Sequence, residues 1–383
     1  DVYKRQYQNK VSKLDYSVMV GPSQELFRYK WFKTTKQDLL DPGLGVIDGA
    51  TGAASSSGNA VEWVMRSYFS RLKLNWDNKY LFEVNLRADG SSRFMEGNRW
   101  GYFPSAAVAW RISSESFMEK THNWLDDLKL RFSYGTAGNN NIPSDQTSPI
   151  WSSSSTTWLN QFPSYWTSGI ASGQSGSYAS NPDLKWETTI TRNMGLDYTL
   201  FGGKLTGSFE YYWNTTKDLL IAFPVSGSGY DYQYRNLGET ENKGFEVSLT
   251  WNAINTKNYG LTFSGNVGFN KNKVKSLGSL TQYSASSGWA STQIQDDYIV
   301  KPGHSVGEIY GYISDGRYEV SDFEDYYAAG EKWVLKEGVV NNSSVIGTSY
   351  LRPGALKLKN MNDDNVTVSY THLRAHETRH DLV

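Results

Sequence analysis

Hydrophobic side chains fall on every second position through most of the chain. Leu72, Leu74 and Trp76 alternate with Arg71, Lys73 and Asn75, and Phe82, Val84 and Leu86 with Glu83, Asn85 and Arg87. Leu128, Leu130, Phe132 and Tyr134 alternate with Lys129, Arg131 and Ser133. Leu205, Phe209, Tyr211 and Trp213 share a face opposite Lys204, Thr206, Ser208 and Glu210. Phe245, Val247, Leu249 and Trp251 alternate with Glu246, Ser248, Thr250 and Asn252; Leu261, Phe263, Val267 and Phe269 repeat the pattern. Weaker copies run through Leu14, Tyr16, Val18 and Val20 and through Leu196, Tyr198 and Leu200. Period two sends neighbouring side chains to opposite sheet faces, so each segment predicts a strand with one apolar and one polar face.

A soluble sandwich alternates in the same way, with its apolar face inward. Two features favour a membrane barrel. The predicted strands run to roughly 9–13 residues, longer than globular strands and near what a tilted strand needs to cross a bilayer. The connections also alternate in length. Trp76–Tyr80, the Gly202-Gly203 pair (a type I′ hairpin signal) and Asn252–Asn258 are short, whereas Thr136–Asp183, Ile221–Lys243 and Lys273 onward are long. Short turns at one end and long loops at the other characterise outer-membrane barrels. Ile112–Asp127 is a longer connection at the short end, with a helical turn predicted around Glu115–Lys120.

Composition narrows the classes. Of 383 residues, 38% are apolar but 15% are aromatic, with 14 Trp and 26 Tyr. Such side chains suit a membrane interface or a sugar-binding surface. A net charge of −1 gives no argument for nucleic acid, and the lack of Cys excludes disulfides and thiolate sites. No run of about 18 apolar residues is present, so no helical span is predicted. Asp1–Lys10 is polar and does not read as a signal peptide, which leaves a cytoplasmic protein or a missing start. Ser369–Val383, with His372, His376 and His380 among Arg374, Glu377 and Arg379, matches nothing before it. It reads as translated adapter sequence, as does Asp1–Gln6; a His-rich metal tail is the alternative. The expected division is a non-native leader at 1–6, a partial barrel with long extracellular loops at 7–368, and a non-native tail at 369–383.

Within this pattern, YLFEVNLRADGSSRFMEGNRWGYFPSAAVAWR at Tyr80–Arg111 resembles the signature of SusC/RagA-type TonB-linked outer-membrane receptors. So do LKLRFSYGTAGNNNI at Leu128–Ile142, NPDLKWETT at Asn181–Thr189, YYWNTTKDLL at Tyr211–Leu220 and NKGFEVSL at Asn242–Leu249. The resemblance, in family order over about residues 13–367, implies an all-β fold: part of a large antiparallel transmembrane barrel of about 22 strands with a plugged lumen. About ten strands are expected here, the barrel being incomplete. The signal peptide, small N-terminal domain, TonB box, plug and final strands would lie outside the chain. The family places such a chain in the Gram-negative outer membrane, in contact with the lipid bilayer. There it takes up oligosaccharides or peptides with a SusD-like surface lipoprotein and draws energy from the TonB complex.

Candidate sites are few. The Ser-rich loop Thr136–Asp183 also carries Trp151, Trp158, Tyr165, Trp166 and Tyr178, a richness in aromatics foreign to plain disorder. These side chains are expected either to pack on neighbouring loops or to contact ligand. RPGALKLKNMNDDNV at Arg352–Val366 resembles a calcium-loop-like family stretch. Asn362 and Asp364 keep its spacing, but Asn360 replaces an Asp, Ala355 another, and Asn365 the turn Gly. Ca²⁺ wants several carboxylates and a Gly at the bend, so a polar turn is favoured over a cation site on Asn360, Asn362 and Asp364. No other cofactor is expected. Asp89, before Gly90, reads as a turn former, with Arg93, Arg99 and Trp100 packing at the rim. Adjacent Asp126 and Asp127 face opposite sides, cannot straddle a glycosidic bond, and read as a solvated turn. His122 and His304 lack triad or metal partners, and no phosphate-binding loop occurs. Gly195, Gly207, Gly265 and Gly268 fall within strands, where they allow curvature or close backbone approach. No enzyme is indicated. The competing readings are a passive porin-like barrel and a secreted all-β carbohydrate-binding protein or glycosidase.

Overall fold

A computed structural model describes residues 2–41, 43, 45–148, 178–225, 230–288, 297–327, 330, 332–347, 351–359 and 374–376. The chain divides into two units, 1–270 and 271–383. The first is dominated by strands β1 (Arg5–Val11), β2 (Leu14–Lys36), β3 (Ala54–Trp76), β4 (Tyr80–Ser91), β5 (Trp100–Arg111) and β6 (Leu125–Asn139). After the long connection follow β7 (Glu187–Leu200), β8 (Leu205–Lys217), β9 (Leu220–Pro224), β10 (Tyr232–Asn236), β11 (Glu239–Asn255) and β12 (Gly260–Ser276). Ten of these form one antiparallel sheet in the order β1-β2-β3-β4-β5-β6-β7-β8-β11-β12, while β9 and β10 pair as a separate hairpin within the β8–β11 connection. Every strand pairs with its sequence neighbour except where that hairpin intervenes. The sheet is not closed on itself in this chain.

The register keeps the two faces apart across the whole sheet. Leu72 stands opposite Val84 and Leu74 opposite Phe82; Phe82 is opposite Val108, Val108 opposite Phe132 and Phe132 opposite Met194. Met194 meets Tyr211 and Tyr211 meets Phe245. Rings continue the face outward: Phe245 lies 4.9 Å from Phe269, and Trp251 stacks at 5.7 Å on Phe263. These side chains remain open in the chain, with Phe263 54% and Leu249 42% exposed. A soluble sandwich would have covered them with a second sheet. Among the described residues no helix is long and apolar enough to cross a membrane, which says nothing of strands. No α-helix occurs among the described residues between Leu128 and Phe269.

Connections at one end are short, at 12–13, 77–79, 201–204 and 256–259, joined there by 112–124; the opposite end carries 37–53, 92–99, 140–186 and 218–238. The helical turn expected near Glu115–Lys120 is a 3₁₀ segment at Ser116–Thr121. Three expectations are corrected. Strands exceed the expected length: β2 and β3 each hold 23 residues, paired throughout from Leu14 with Trp76 to Lys36 with Ala54. The Ser-rich start of β3 has little strand propensity of its own, and its pairing with β2 supplies the ladder. The Gly202-Gly203 turn is four residues, 201–204, with positive φ at Phe201, Gly202 and Gly203. Asp89 stands within β4 rather than in a turn.

At the start of the chain, Arg5 and Gln6 pair with Val20 and Met19. The second unit contains small sheets built from β13 (Tyr283–Ala285), β14 (Tyr298–Val300), β15 (Glu308–Gly311), β16 (Ser314–Arg317), β17 (Phe323–Tyr327), β18 (Lys332–Leu335), β19 (Leu356–Leu358) and β20 (Arg374–His376). Its apolar contacts are local: Val274, Leu277 and Val300 cluster, and Phe323 packs between Tyr318 and Trp333. Burial holds the Tyr318 hydroxyl in its neutral form, its pKa pushed up to about 12.

Candidate functional site: the polar sheet face and the loop anchor

The polar face of the sheet is a ladder of cross-strand ion pairs. Glu83 on β4 faces Lys73 (3.2 Å) and Arg71 (3.4 Å) on β3. Asp197 on β7 faces Lys129 (2.8 Å) and Arg131 (3.1 Å) on β6, and Arg131 reaches on to Glu210 of β8. Gly195 makes room for that reach, since a Cβ there would sit 2.7 Å from the Arg131 guanidinium carbon. Asn193 completes the set by donating to Glu210 at 3.0 Å. Sequence alternation put these residues on one face; it carried no information on partners, because pairing depends on register between strands far apart in the chain.

Toward the long-loop end the ladder gives way to a dry cluster. Phe94, Phe103, Ile142, Leu184 and Trp186 are buried together, with Met65, Leu220 and Tyr234 against them. The Phe103 ring lies over Gly101 and Gly138, where a Cβ would come within 2.4 and 2.0 Å of it. A cleft of about 720 Å³ opens beside this cluster, bordered by Met65, Phe69, Arg87, Asp89, Phe103 and Trp186. Asp89 is buried there and accepts 2.8 Å bonds from Arg87, whose guanidinium also donates to Ser67. Arg93 lies 4.8 Å over the Trp63 ring and donates to the Asn140 carbonyl. Trp100 stacks on Tyr68 at 5.9 Å.

Around that cluster three connections are bonded into one scaffold. Trp186 Nε1 donates to the Arg99 carbonyl, and the Asn98 amide to that of Asp183. The Asn181 side chain donates to the Tyr234 carbonyl, and Asn236 to those of Lys185 and Asp218. Tyr178 is the one candidate aromatic among the described residues. It is buried, bridges backbone to Tyr232, stacks on that ring at 6.2 Å and donates its hydroxyl to the Asp145 carbonyl at 2.8 Å. Burial, with Asp145 next to it, raises its pKa well above the usual phenol value. Trp151, Trp158, Tyr165 and Trp166 lie outside the described residues, as do Asn360, Asn362 and Asp364. Among the described residues no group of three or more His, Cys, Asp or Glu could hold a metal. The cluster residues went unnoticed in the sequence as a site, although Leu184 and Trp186 sit in the NPDLKWETT stretch and already alternate there.

The short-turn end is tied by carboxylates. Glu115 accepts from the Tyr80 hydroxyl (2.6 Å), Trp110 Nε1 (3.1 Å) and Lys79 (3.3 Å), linking the turn at 77–79 to the connection at 112–124. Asp126 takes the amides of Gly202 (2.7 Å) and Gly203 (3.1 Å), and Asp127 bonds Ser113 and faces Arg111. The two aspartates therefore fix neighbouring turns; a merely solvated turn does not describe them. Hydrogen bonds from Tyr80 and Trp110 to its ionised form hold the Glu115 pKa below the ordinary carboxylate value.

An open apolar face, a charged opposite face and loops of alternating length define a segment of an outer-membrane barrel. The chain belongs to the family described as TonB dependent receptor-like, beta-barrel, whose model matches residues 2–375. It is 34% identical over 279 residues to the TonB-dependent receptor SusC of Bacteroides thetaiotaomicron, covering 71% of this chain and 26% of SusC. It is 33% identical over 283 residues to the TonB-dependent receptor P3 of Formosa agariphila, covering 73% of this chain and 27% of that receptor. The chain thus spans about a quarter of the length of these relatives. A structure of the RagAB peptide importer in its closed-closed state matches with a TM-score of 0.72 at 23% identity, over 98% of this chain and 37% of that one, which shows the shared fold. The chain is part of a Gram-negative outer-membrane protein.

Proposed function

We propose that this segment belongs to a receptor that imports oligosaccharides or peptides across the outer membrane with energy relayed by TonB, working with a SusD-like surface lipoprotein. One observation carries the reading: a ten-stranded sheet whose apolar face is continuous and uncovered, bonded into a family that includes SusC. The name of the RagAB importer supports peptides as one cargo class, and that of SusC supports an energised receptor. In this reading the chain's residues hold a wall and its loops, with no bond made or broken by them, so no enzymatic role is assigned. Trp151, Trp158, Tyr165 and Trp166 would offer ring faces to a sugar or an apolar peptide side chain. The Asn360–Asp364 stretch would act as a polar turn, and Ca²⁺ titration of the full-length receptor by calorimetry would reveal a site if one forms.

Uptake of labelled maltooligosaccharides and of labelled oligopeptides by cells expressing the full-length receptor tests the proposal. Saturable uptake of one class, abolished by a protonophore, is the expected result. Linear uptake indifferent to the protonophore would instead establish a passive porin.

A further inference from the structure

Across β6, β7, β8 and β11 the outward face changes from apolar to polar within one row near the long-loop end, and that row carries cations; on β5, β4 and β3 the same row runs on through the apolar Ala106, Val84 and Leu72. Phe132, Met194, Tyr211 and Phe245 stand opposite one another across β6, β7, β8 and β11 and form the last fully apolar row. One step toward the loops, Tyr134 stands opposite Arg192, and Trp213 opposite Lys243. The Arg192 guanidinium lies 4.7 Å from the Trp213 ring and 5.9 Å from the Tyr134 ring, joining the row into one surface. A step further come Thr136, Ile190, Thr215 and Glu241.

Arg192 donates to the Thr215 hydroxyl at 3.3 Å and to the Trp213 carbonyl at 3.5 Å, and among the described residues no carboxylate lies on it. Lys243 sits 5.2 Å over the same Trp213 ring but is paired with Glu241 at 3.0 Å, and Glu241 also accepts from Trp213 Nε1. Among the described residues the patch therefore keeps one guanidinium with no carboxylate on it, braced by rings, where the apolar rows of these four strands end. Tryptophan and tyrosine mark the interfacial level of a barrel, and an arginine held flat against rings presents its donor fork for bidentate contact with a phosphate. The long loops face outward from the cell, so the lipid layer at this height is the outer leaflet.

We propose that Tyr134, Arg192, Trp213 and Lys243 form a binding site for the phosphate of an anionic glycolipid headgroup in the outer leaflet. The occupant is a lipid because the patch continues directly into the bilayer-facing apolar rows, which accommodate its acyl chains. Arg192 takes the phosphate, Trp213 and Tyr134 hold the guanidinium in the membrane plane, and Lys243 flanks it while Glu241 keeps that lysine in position.

Native mass spectrometry of the full-length receptor in detergent, titrated with bisphosphorylated lipid A, with its dephosphorylated form and with inorganic phosphate, tests this directly. Wild type should retain phosphorylated lipid A preferentially, and Arg192→Gln should weaken that binding about fivefold, the worth of one basic side chain at an anionic surface. Lys243→Gln should weaken it less. Arg66→Gln serves as the control, since Arg66 is a rim cation that bonds Gln24 at 3.1 Å instead; it should leave binding unchanged. Heat-modifiable migration on gels establishes that each variant folds, and Arg192→Lys, which keeps the charge without the fork, should bind between wild type and Arg192→Gln. Equal binding by wild type and Arg192→Gln would overturn the proposal. So would equal retention of the dephosphorylated lipid, equal loss in Arg66→Gln, or full competition by equimolar inorganic phosphate, which would identify a free-anion site.

Discussion

Large apolar side chains occur in two settings in this molecule, and their surroundings are opposite. Under the long loops, Phe94 and Leu184 are 1% and 0% exposed, sealed by backbone and neighbouring rings. On the outward face of the sheet, Met194 is 53% exposed although its strand β7 is paired on both sides, and Phe263 on the edge strand β12 is 54% exposed. The first group is buried by protein and behaves as an ordinary core. The second is apolar because its solvent is hydrocarbon, which supplies no hydrogen bonds and so demands paired strands beneath. Alternation in a sequence therefore reports what a face touches, and only the second setting extends over ten strands.

The sharpest way to probe that difference is to remove a side chain from the sealed setting. Phe103→Ala empties the space over Gly101 and Gly138 and should cost about 3–5 kcal/mol, read as a lowered unfolding midpoint in the full-length receptor. A loss below about 1 kcal/mol would mean the loop cluster is not a packed core. Next comes Leu249→Arg on the outward face, expected to cost about 2–4 kcal/mol if the residue lies near the bilayer midplane. Thr250→Arg on the opposite face, where the Thr250 hydroxyl lies 3.1 Å from that of Ser264, should cost much less; equal assembly of the two variants would break the assigned orientation.

Smaller effects belong to the short-turn end. Asp126→Ala leaves the Gly202 and Gly203 amides without their shared acceptor, and a cost of about 1 kcal/mol is expected at this exposed site. Thermal melts identical to wild type would show that the positive-φ turn holds itself. Glu115 gives a pH signature. Its folded pKa is depressed, so its contribution is present above the unfolded carboxylate value near 4.3 and is lost as pH falls through the lower folded value. Glu115→Gln should therefore destabilise at neutral pH and converge with wild type in acid, as urea midpoints across pH would reveal.

Much of the architecture was legible in residue order. Leu72-Lys73-Leu74 and Leu249-Thr250-Trp251 each declare two faces, and the contrast between 201–204 and 140–186 declares two ends. The upper reach of β2 and β3 was hidden, because Ala54–Asn59 has no apolar alternation and is a strand only through its partner Trp31–Lys36. Asp89-Gly90 carries a turn signal that tertiary context overrides: Arg87 and the neighbouring strands β3 and β5 keep Asp89 extended. The functional surfaces were less readable still. Arg131 and Glu210 lie 79 positions apart, and Arg192 reads as an ordinary strand arginine until the register sets it against Tyr134 and Trp213.

Residue-by-residue lipid access separates the two settings most directly. The segment contains no cysteine, so single spin labels can be placed at 261 through 269 of a full-length receptor in which any cysteine elsewhere is replaced by serine, in liposomes, with oxygen and a nickel chelate as relaxation agents. Lipid-facing side chains predict oxygen access that peaks at Leu261, Phe263, Val267 and Phe269 and nickel access that is higher at Thr262, Ser264 and Asn266. Oxygen access without this two-residue rhythm, or Phe263 shielded from both agents, would contradict it.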